Sequence, residues 1–261
     1  MNLVQPQNLV RWARRTAFLL SLSLLPLAAS IAQKEYNAQL AKLFGRDSVT
    51  IVITDSGLGG LSVCAELEAR LRRSHSIRSV RLVFVNALPD FSSTYNSMAS
   101  VEEQARVFDD VLRGIESTSH PDAILIACNT LSAVYPKTTF ARRPTIPVVS
   151  IIEVGSRTIA ERTGASGYSQ VVIFGTPSII ASGVYQEQLS TLGIGRDRII
   201  AQPCRLLESE IQADPKSDLV KSLVDTYVGE AIEKLDTKAS GRISIGLCCS
   251  HYGYSADAWS T

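Results

Sequence analysis

The chain has 261 residues, of which 45% are apolar, and its formal net charge is +1 because 26 lysines and arginines offset 25 aspartates and glutamates. This length and composition allow one large hydrophobic core or two smaller ones. The balanced charge gives no reason to expect a nucleic-acid partner, and the five cysteines and three histidines form no metal-ligand spacing, so we expect no metal site.

The first 33 residues have the pattern of an export signal. Three arginines precede an uncharged, mostly apolar run at 17–32, and Ser30-Ile31-Ala32 fits a signal-peptidase site. The run is short for a membrane span. We predict a signal peptide or membrane anchor over residues 1–33, with a membrane tether through residues 10–32 if the leader is retained. An exported or periplasmic protein is expected; an amphipathic leading helix, or a cytoplasmic protein whose leader does not function, is the alternative.

Beyond the leader, short apolar runs alternate with segments of helical periodicity. A serine at position 100 followed by a glutamate at 103 is a capping-box pattern and predicts a helix start. In chain order, the elements predicted for the first half are a helix at 35–44, a strand at 49–54, a helix at 61–73, a strand at 80–85, a polar loop at 86–97, a helix at 101–115, a strand at 123–127, a helix from about 131 and a strand at 148–152.

The second half repeats this rhythm. Its predicted elements are a helix at 155–162, a strand at 171–174, a helix at 179–192, a strand at 199–201, a helix at 219–235 and a strand at 243–247. Such alternation indicates parallel sheets joined by right-handed crossovers. We predict an α/β fold of two similar lobes, residues 34–153 and 154–261, each a mostly parallel sheet flanked by helices, with a cleft between the lobes.

Four polar clusters follow predicted strands, where ligands of open α/β sheets bind. They are Thr54-Asp55-Ser56-Gly57-Leu58-Gly59-Gly60-Leu61, Cys128-Asn129-Thr130, Gly175-Thr176-Pro177-Ser178 and Cys249-Ser250-His251-Tyr252. The glycines of the first cluster match neither the dinucleotide fingerprint nor a P-loop, so we expect no phosphate-bearing cofactor. Two thiols near one crevice suit a reaction that takes a proton from one face of a carbon and returns it to the other.

In this order, the clusters resemble the cofactor-independent aspartate/glutamate racemase family, most closely its glutamate racemases. The matching stretches are residues 55–63, 127–133, 175–186 and 247–252. The resemblance implies interconversion of L- and D-glutamate by two-base proton transfer at Cα, with no cofactor, a small amino acid as the binding partner, a role in peptidoglycan biosynthesis for the cell wall, and a homodimer as one compatible assembly.

The resemblance also implies residue roles. Cys128 and Cys249 would be the acid/base thiols, with Asp55 assisting the first and His251 the second, and Glu208 would be the carboxylate of the second lobe. The residues implied to hold the amino and carboxylate groups of the substrate are Ser56, Asn129, Thr130, Thr176 and Ser250.

The chain departs from the family pattern in three places. Tyr95-Asn96 lies where the family has a Pro-Tyr-Gly turn that binds the side-chain carboxylate, so the preferred substrate length is open. Cys248 replaces a glycine before the second thiol, and the chain ends at Thr261, which is early for the family. The alternatives are a racemase of aspartate or another amino acid, and a non-catalytic periplasmic amino-acid-binding relative.

Overall fold

The structure is a computed structural model that describes residues 38, 40–43, 45–74, 77–88, 94–142, 144–164, 168–239 and 241–260. The predicted leader lies outside these residues, so it stays a prediction. Contacts divide the chain into two units, Met1–Arg46 and Asp47–Thr261. In the first unit, residues 38 and 40–43 are helical, within the helix predicted at 35–44. None of the described helices has the length and apolar composition needed to span a membrane.

The first sheet of the second unit is fully parallel, with strand order β2-β1-β3-β4. β1 is central and buried along nearly its whole length, as expected for a parallel strand covered on both faces. The strands are β1 (Ser48–Asp55), β2 (Ser79–Asn86), β3 (Ala123–Ile126) and β4 (Val148–Ser150).

The second sheet is also parallel, with order β6-β5-β7. Its strands are β5 (Tyr168–Gly175), β6 (Ile199–Pro203) and β7 (Arg242–Cys248). The two sheets have separate cores: Phe108, Leu112 and Ile124 are central to the first, and Ile173 and Phe174 lie on opposite faces of the second. The predicted fold class, α/β with two lobes of parallel sheet flanked by helices, is confirmed.

Among the described residues of the second unit, eight α-helices connect or cover the strands. They are α1 (Leu61–Ser74), α2 (Val101–Ser119), α3 (Asn129–Val134), α4 (Ile151–Gly164), α5 (Pro177–Ser182), α6 (Val184–Thr191), α7 (Leu207–Ala213) and α8 (Asp218–Glu233). The Ser100 side chain accepts a hydrogen bond from the Glu103 N–H at 3.1 Å, so the predicted cap of α2 is confirmed. α4 links the two sheets, and the predicted lobe boundary at residues 153 and 154 lies in its first turn.

The structure corrects the prediction at three helices. The helix predicted at 179–192 is two helices, because Gly183 adopts a left-handed conformation with φ of 68° and ends α5. Residues 151–152, predicted as strand, begin α4, where Ile152 is buried in the second core. α7 has no counterpart among the predicted elements, and it carries Glu208 and Gln212.

Candidate active site

Both thiols lie at the carboxyl ends of strands. Cys128 comes two residues after β3 and is the N-cap residue of α3, while Cys249 directly follows β7 in the other lobe. Asp55 is the last residue of β1, which pairs with β3. The Asp55 side chain is fully buried. The parallel register therefore places one thiol and the carboxylate at the same edge of the first sheet.

Two hydrogen bonds connect the two thiol clusters, and one of them crosses between the lobes. Ser56 Oγ lies 3.1 Å from Cys128 Sγ. The adjacent carboxylate of Asp55 accepts a hydrogen bond from Ser250 Oγ at 2.9 Å, and Ser250 directly follows Cys249. The thiols are thus linked in series: these two hydrogen bonds alternate with the peptide bonds between Asp55 and Ser56 and between Cys249 and Ser250. The side-chain partner of Asp55 is on the side of Cys249, although the resemblance pairs Asp55 with Cys128.

Burial controls the ionisation of Asp55. It raises the pKa of this carboxyl from 3.8 to about 6, although hydrogen bonds from Ser250 and from backbone N–H groups of the glycine loop oppose the rise. Gly57 N–H donates one of these bonds, at 3.0 Å. A carboxyl with this pKa can exchange a proton near neutral pH.

Both thiols are held in the protonated form. Burial, and next to it the negative charge of Asp55, raise the pKa of Cys128 to about 11. Burial also raises the pKa of Cys249 well above its usual value, and negative charge on Cys128, Glu208 or Asp55 would raise it further. Each thiol consequently needs a neighbouring base, or the positive charge of a bound substrate, to become a nucleophilic thiolate.

His251 is a base in contact with Cys249. Its Nδ1 lies 3.8 Å from Cys249 Sγ, and its Nε2 lies 3.0 Å from Gln212 Oε1 on α7. Burial lowers the pKa of this histidine, so the ring is neutral at physiological pH. A neutral imidazole can accept the thiol proton through an unprotonated ring nitrogen.

Glu208 faces the first lobe from the start of α7. Its Oε1 accepts a hydrogen bond from Asn96 Nδ2 at 3.2 Å, and the Oδ1 of the same asparagine accepts one from Ser178 Oγ at 2.6 Å. The second oxygen, Oε2, is buried and has no hydrogen-bond partner among the described residues. Burial raises the pKa of Glu208. Asn96 therefore bridges the lobes through Glu208 and Ser178.

The remaining predicted binding residues have other contacts. Asn129 Oδ1 accepts a hydrogen bond from Tyr185 OH at 2.6 Å. Thr176 Oγ1 accepts one from Ile179 N–H and so caps α5, while Thr130 is buried near the start of α3. Tyr95 packs edge-on against Phe108, and its buried hydroxyl has no hydrogen-bond partner among the described residues. In the thiol clusters, by contrast, hydrogen bonds join Ser56 to Cys128 and Ser250 to Asp55.

A cavity of about 430 Å³ between α4 and β7 is lined by three of the predicted residues, Asn129, Cys249 and Ser250. That volume is in the range of small-molecule sites. Cys128 and His251 do not line this cavity, so it is not the space between the two thiols. Among the described residues, no group of three or more histidine, cysteine or acidic side chains could hold a metal ion.

Sequence reasoning missed Gln212 and Tyr185. Gln212 lies four residues after Glu208, so a prediction of α7 would have placed both side chains on one helix face. Tyr185 is part of the stretch 175–186 that carries the resemblance, but its contact with Asn129 depends on how the two lobes meet.

Known proteins resemble this chain in sequence and in fold. A family model described as Asp/Glu/hydantoin racemase matches residues 51–246. The glutamate racemase of Aquifex pyrophilus is 27% identical over 209 residues, which cover 77% of this chain and 70% of the relative. The solved glutamate racemase of Campylobacter jejuni matches with a TM-score of 0.62 and 23% identity over 81% of this chain and 76% of that one. The aspartate racemase of Picrophilus torridus matches with a TM-score of 0.55 and 14% identity over 80% and 84%.

Proposed function

Because the chain belongs to the Asp/Glu/hydantoin racemase family, we propose that it interconverts L- and D-glutamate, with Cys128 and Cys249 as the two acid/base groups and no cofactor. The chain is an isomerase, an amino-acid racemase, and the comparisons favour this over the alternative of a binding protein. A small amino acid is the substrate class.

One observation carries the two-thiol mechanism. The two thiols, which come from different lobes, are joined through Ser56, Asp55 and Ser250. Burial raises the pKa of Asp55 to about 6 and lowers the pKa of His251, so each thiol cluster contains a group that can exchange a proton. Opposed bases of this kind allow a proton to leave one face of Cα while another arrives at the opposite face. A binding protein has no need for this arrangement.

The proton inventory of the reaction is balanced. Cys249 gives its proton to His251 Nδ1 and becomes a thiolate, which takes the α-proton and forms a new S–H bond. The electron pair left on Cα delocalises into the substrate carboxylate. The Cys128 thiol then protonates Cα from the other face and becomes a thiolate. After the product leaves, His251 loses its added proton and Cys128 regains one through solvent, which restores the enzyme; the opposite direction reverses each step. The substrate ammonium offsets the cost of a buried thiolate beside Asp55 and Glu208.

The choice of glutamate follows from the curated relatives, whose identity to this chain reaches 27%. Aspartate is the second candidate, and a specific contact favours it: the Asn96 side chain reaches across the cleft to Glu208 and Ser178. Asn96 belongs to the turn to which the resemblance assigns the side-chain carboxylate, so this bridge engages a side chain of that turn. A shorter substrate leaves the bridge in place.

The test is a panel of enantiopure amino acids, incubated with the full chain without pyridoxal phosphate and resolved by chiral chromatography. We expect L- and D-glutamate each to reach an equal mixture, with aspartate converted more slowly. Faster conversion of aspartate would establish the second candidate. Conversion of neither amino acid would contradict the proposal.

A further inference from the structure

We propose that Gln212 is a positioning residue that holds His251 in the Nε2-protonated tautomer and leaves Nδ1 free to take the proton of Cys249. This inference rests on the proposed function for the role of Cys249. The geometry itself concerns only the glutamine, the histidine and the loop that they share.

The hydrogen bonds of Gln212 identify which atom of its amide faces the histidine. Oε1 accepts a hydrogen bond from the backbone N–H of Leu58 at 3.1 Å. A backbone N–H can only donate, so the amide atom at this position has to be the oxygen. The same oxygen lies 3.0 Å from His251 Nε2. Because an amide oxygen only accepts, Nε2 has to carry the hydrogen.

The tautomer follows from this assignment. A neutral imidazole has one protonated nitrogen and one acceptor, so a proton on Nε2 leaves the lone pair on Nδ1. Nδ1 is the nitrogen that faces Cys249 Sγ, at 3.8 Å. Proton transfer along this contact breaks S–H, forms Nδ1–H and leaves the electron pair on sulfur. The resulting imidazolium still donates from Nε2 to Gln212.

The glycine loop keeps this arrangement compact. A Cβ atom added at Gly57 would lie 2.8 Å from Gln212 Oε1 and 3.2 Å from His251 Cε1. Only a residue without a side chain lets the loop approach this closely. The Leu58 N–H belongs to the first lobe and Gln212 to the second, so the tautomer is favoured when the lobes are as close as they are here.

Gln212 also shares a helix with Glu208, four residues earlier on α7. Side chains four residues apart lie on the same face of a helix. One face of α7 therefore carries both groups that bear on the second thiol: Glu208, whose charge raises the pKa of Cys249, and Gln212, which orients its base.

If Gln212 only bridged the lobes, replacing it would change the free energy of unfolding and KM but not the tautomer of His251. The decisive readout is thus the pair of ¹⁵N shifts of His251 at about pH 8.5, where imidazole is neutral. The signals are assigned by their loss in the His251→Gln variant. We expect the wild-type chain to show protonated Nε2 and unprotonated Nδ1.

Two substitutions and one control complete the experiment. Gln212→Leu removes the acceptor; we expect a mixture of tautomers and a fall in kcat of roughly tenfold, about the value of one hydrogen bond. Gln212→Glu keeps an acceptor for both N–H groups; we expect the wild-type tautomer and a kcat within about threefold of wild type. The control Ser209→Ala changes an exposed position on the same helix and is expected to change neither readout.

Two results would overturn the proposal: protonated Nδ1 in the wild-type chain, or an unchanged tautomer and kcat in Gln212→Leu. The shifts do not require turnover. A chain that racemises neither glutamate nor aspartate but shows the expected shifts and their change in Gln212→Leu would overturn the proposed function and support the positioning role.

Discussion

Replacing Gly59 by alanine is a sensitive test of how closely the glycine loop and the second thiol cluster pack. A Cβ atom at this position would lie 2.8 Å from His251 Nδ1 and 2.9 Å from Ser250 Cβ, and closer still to Ser250 Oγ. Ordinary contacts of this atom begin near 3.4 Å, so the neighbours have to retreat by more than half an ångström.

This displacement acts on two contacts of the site. It lengthens the 2.9 Å bond from Ser250 to Asp55, and it turns His251 away from Cys249. Misplacing reacting groups by about 1 Å can cost about 100-fold in rate, so we expect Gly59→Ala to lower kcat/KM for glutamate by roughly 10- to 100-fold.

The matched control is Gly114→Ala. Gly114 lies inside α2, and a Cβ atom there would meet no atom within 4 Å. Alanine is favoured over glycine in a helix interior, so we expect unchanged kcat/KM and a gain of about 0.5–1 kcal/mol in the free energy of unfolding. Kinetics and urea unfolding of both variants measure the two effects. Wild-type kcat/KM in Gly59→Ala would refute the close packing described here.

Three further predictions concern single side chains. In Asp55→Asn, we expect slower racemisation and a larger free energy of unfolding at pH 8. Burial raises the pKa of Asp55 from 3.8 to about 6 in the folded state. The wild-type chain therefore loses roughly 3 kcal/mol of its free energy of unfolding as the pH rises through this window, and the variant does not. Urea unfolding at pH 4 and pH 8 measures this, and an equal pH dependence of both proteins would contradict it. Cys248 is buried with Ile152 and Ile173 in the second core, so Cys248→Ala should keep kcat/KM within about twofold and lose roughly 1 kcal/mol of stability; a large loss of kcat with intact stability would contradict a role limited to packing. Asn96→Gly removes the bridge to Glu208 and should raise the ratio of glutamate to aspartate kcat/KM; an unchanged ratio would deny Asn96 a role in specificity.

The strands were predictable because a parallel strand buried on both faces has a continuous run of apolar residues in its sequence. The stretch Ser48–Asp55 is an example: its interior is Val, Ile and Thr, and it pairs with both β2 and β3. The helices were less predictable where they are short. α7 has few apolar residues besides Leu207 and Ile211, and it begins after Leu206, which has a φ of 63°.

The residues of the candidate site also divide into those that the sequence predicts and those that it does not. Residues that follow strands, such as Asp55 and Cys128, could be predicted because the carboxyl ends of parallel strands meet at one edge. Gln212 could not, because its contact with Leu58 joins residues 154 apart in sequence and depends on the approach of the two lobes. Likewise, the pKa of Asp55 is set by burial, which no local pattern encodes.

Deuterium incorporation at Cα is the most direct test of the central claim that one thiol lies on each side of the substrate. L- and D-glutamate are each incubated in heavy water with the wild-type chain, Cys128→Ser, Cys249→Ser and the control Cys64→Ser, which changes a thiol on α1 outside the site. We predict that wild type and control exchange the α-proton as they racemise, and that neither of the other variants racemises either enantiomer. Full turnover by Cys128→Ser or Cys249→Ser would contradict the account.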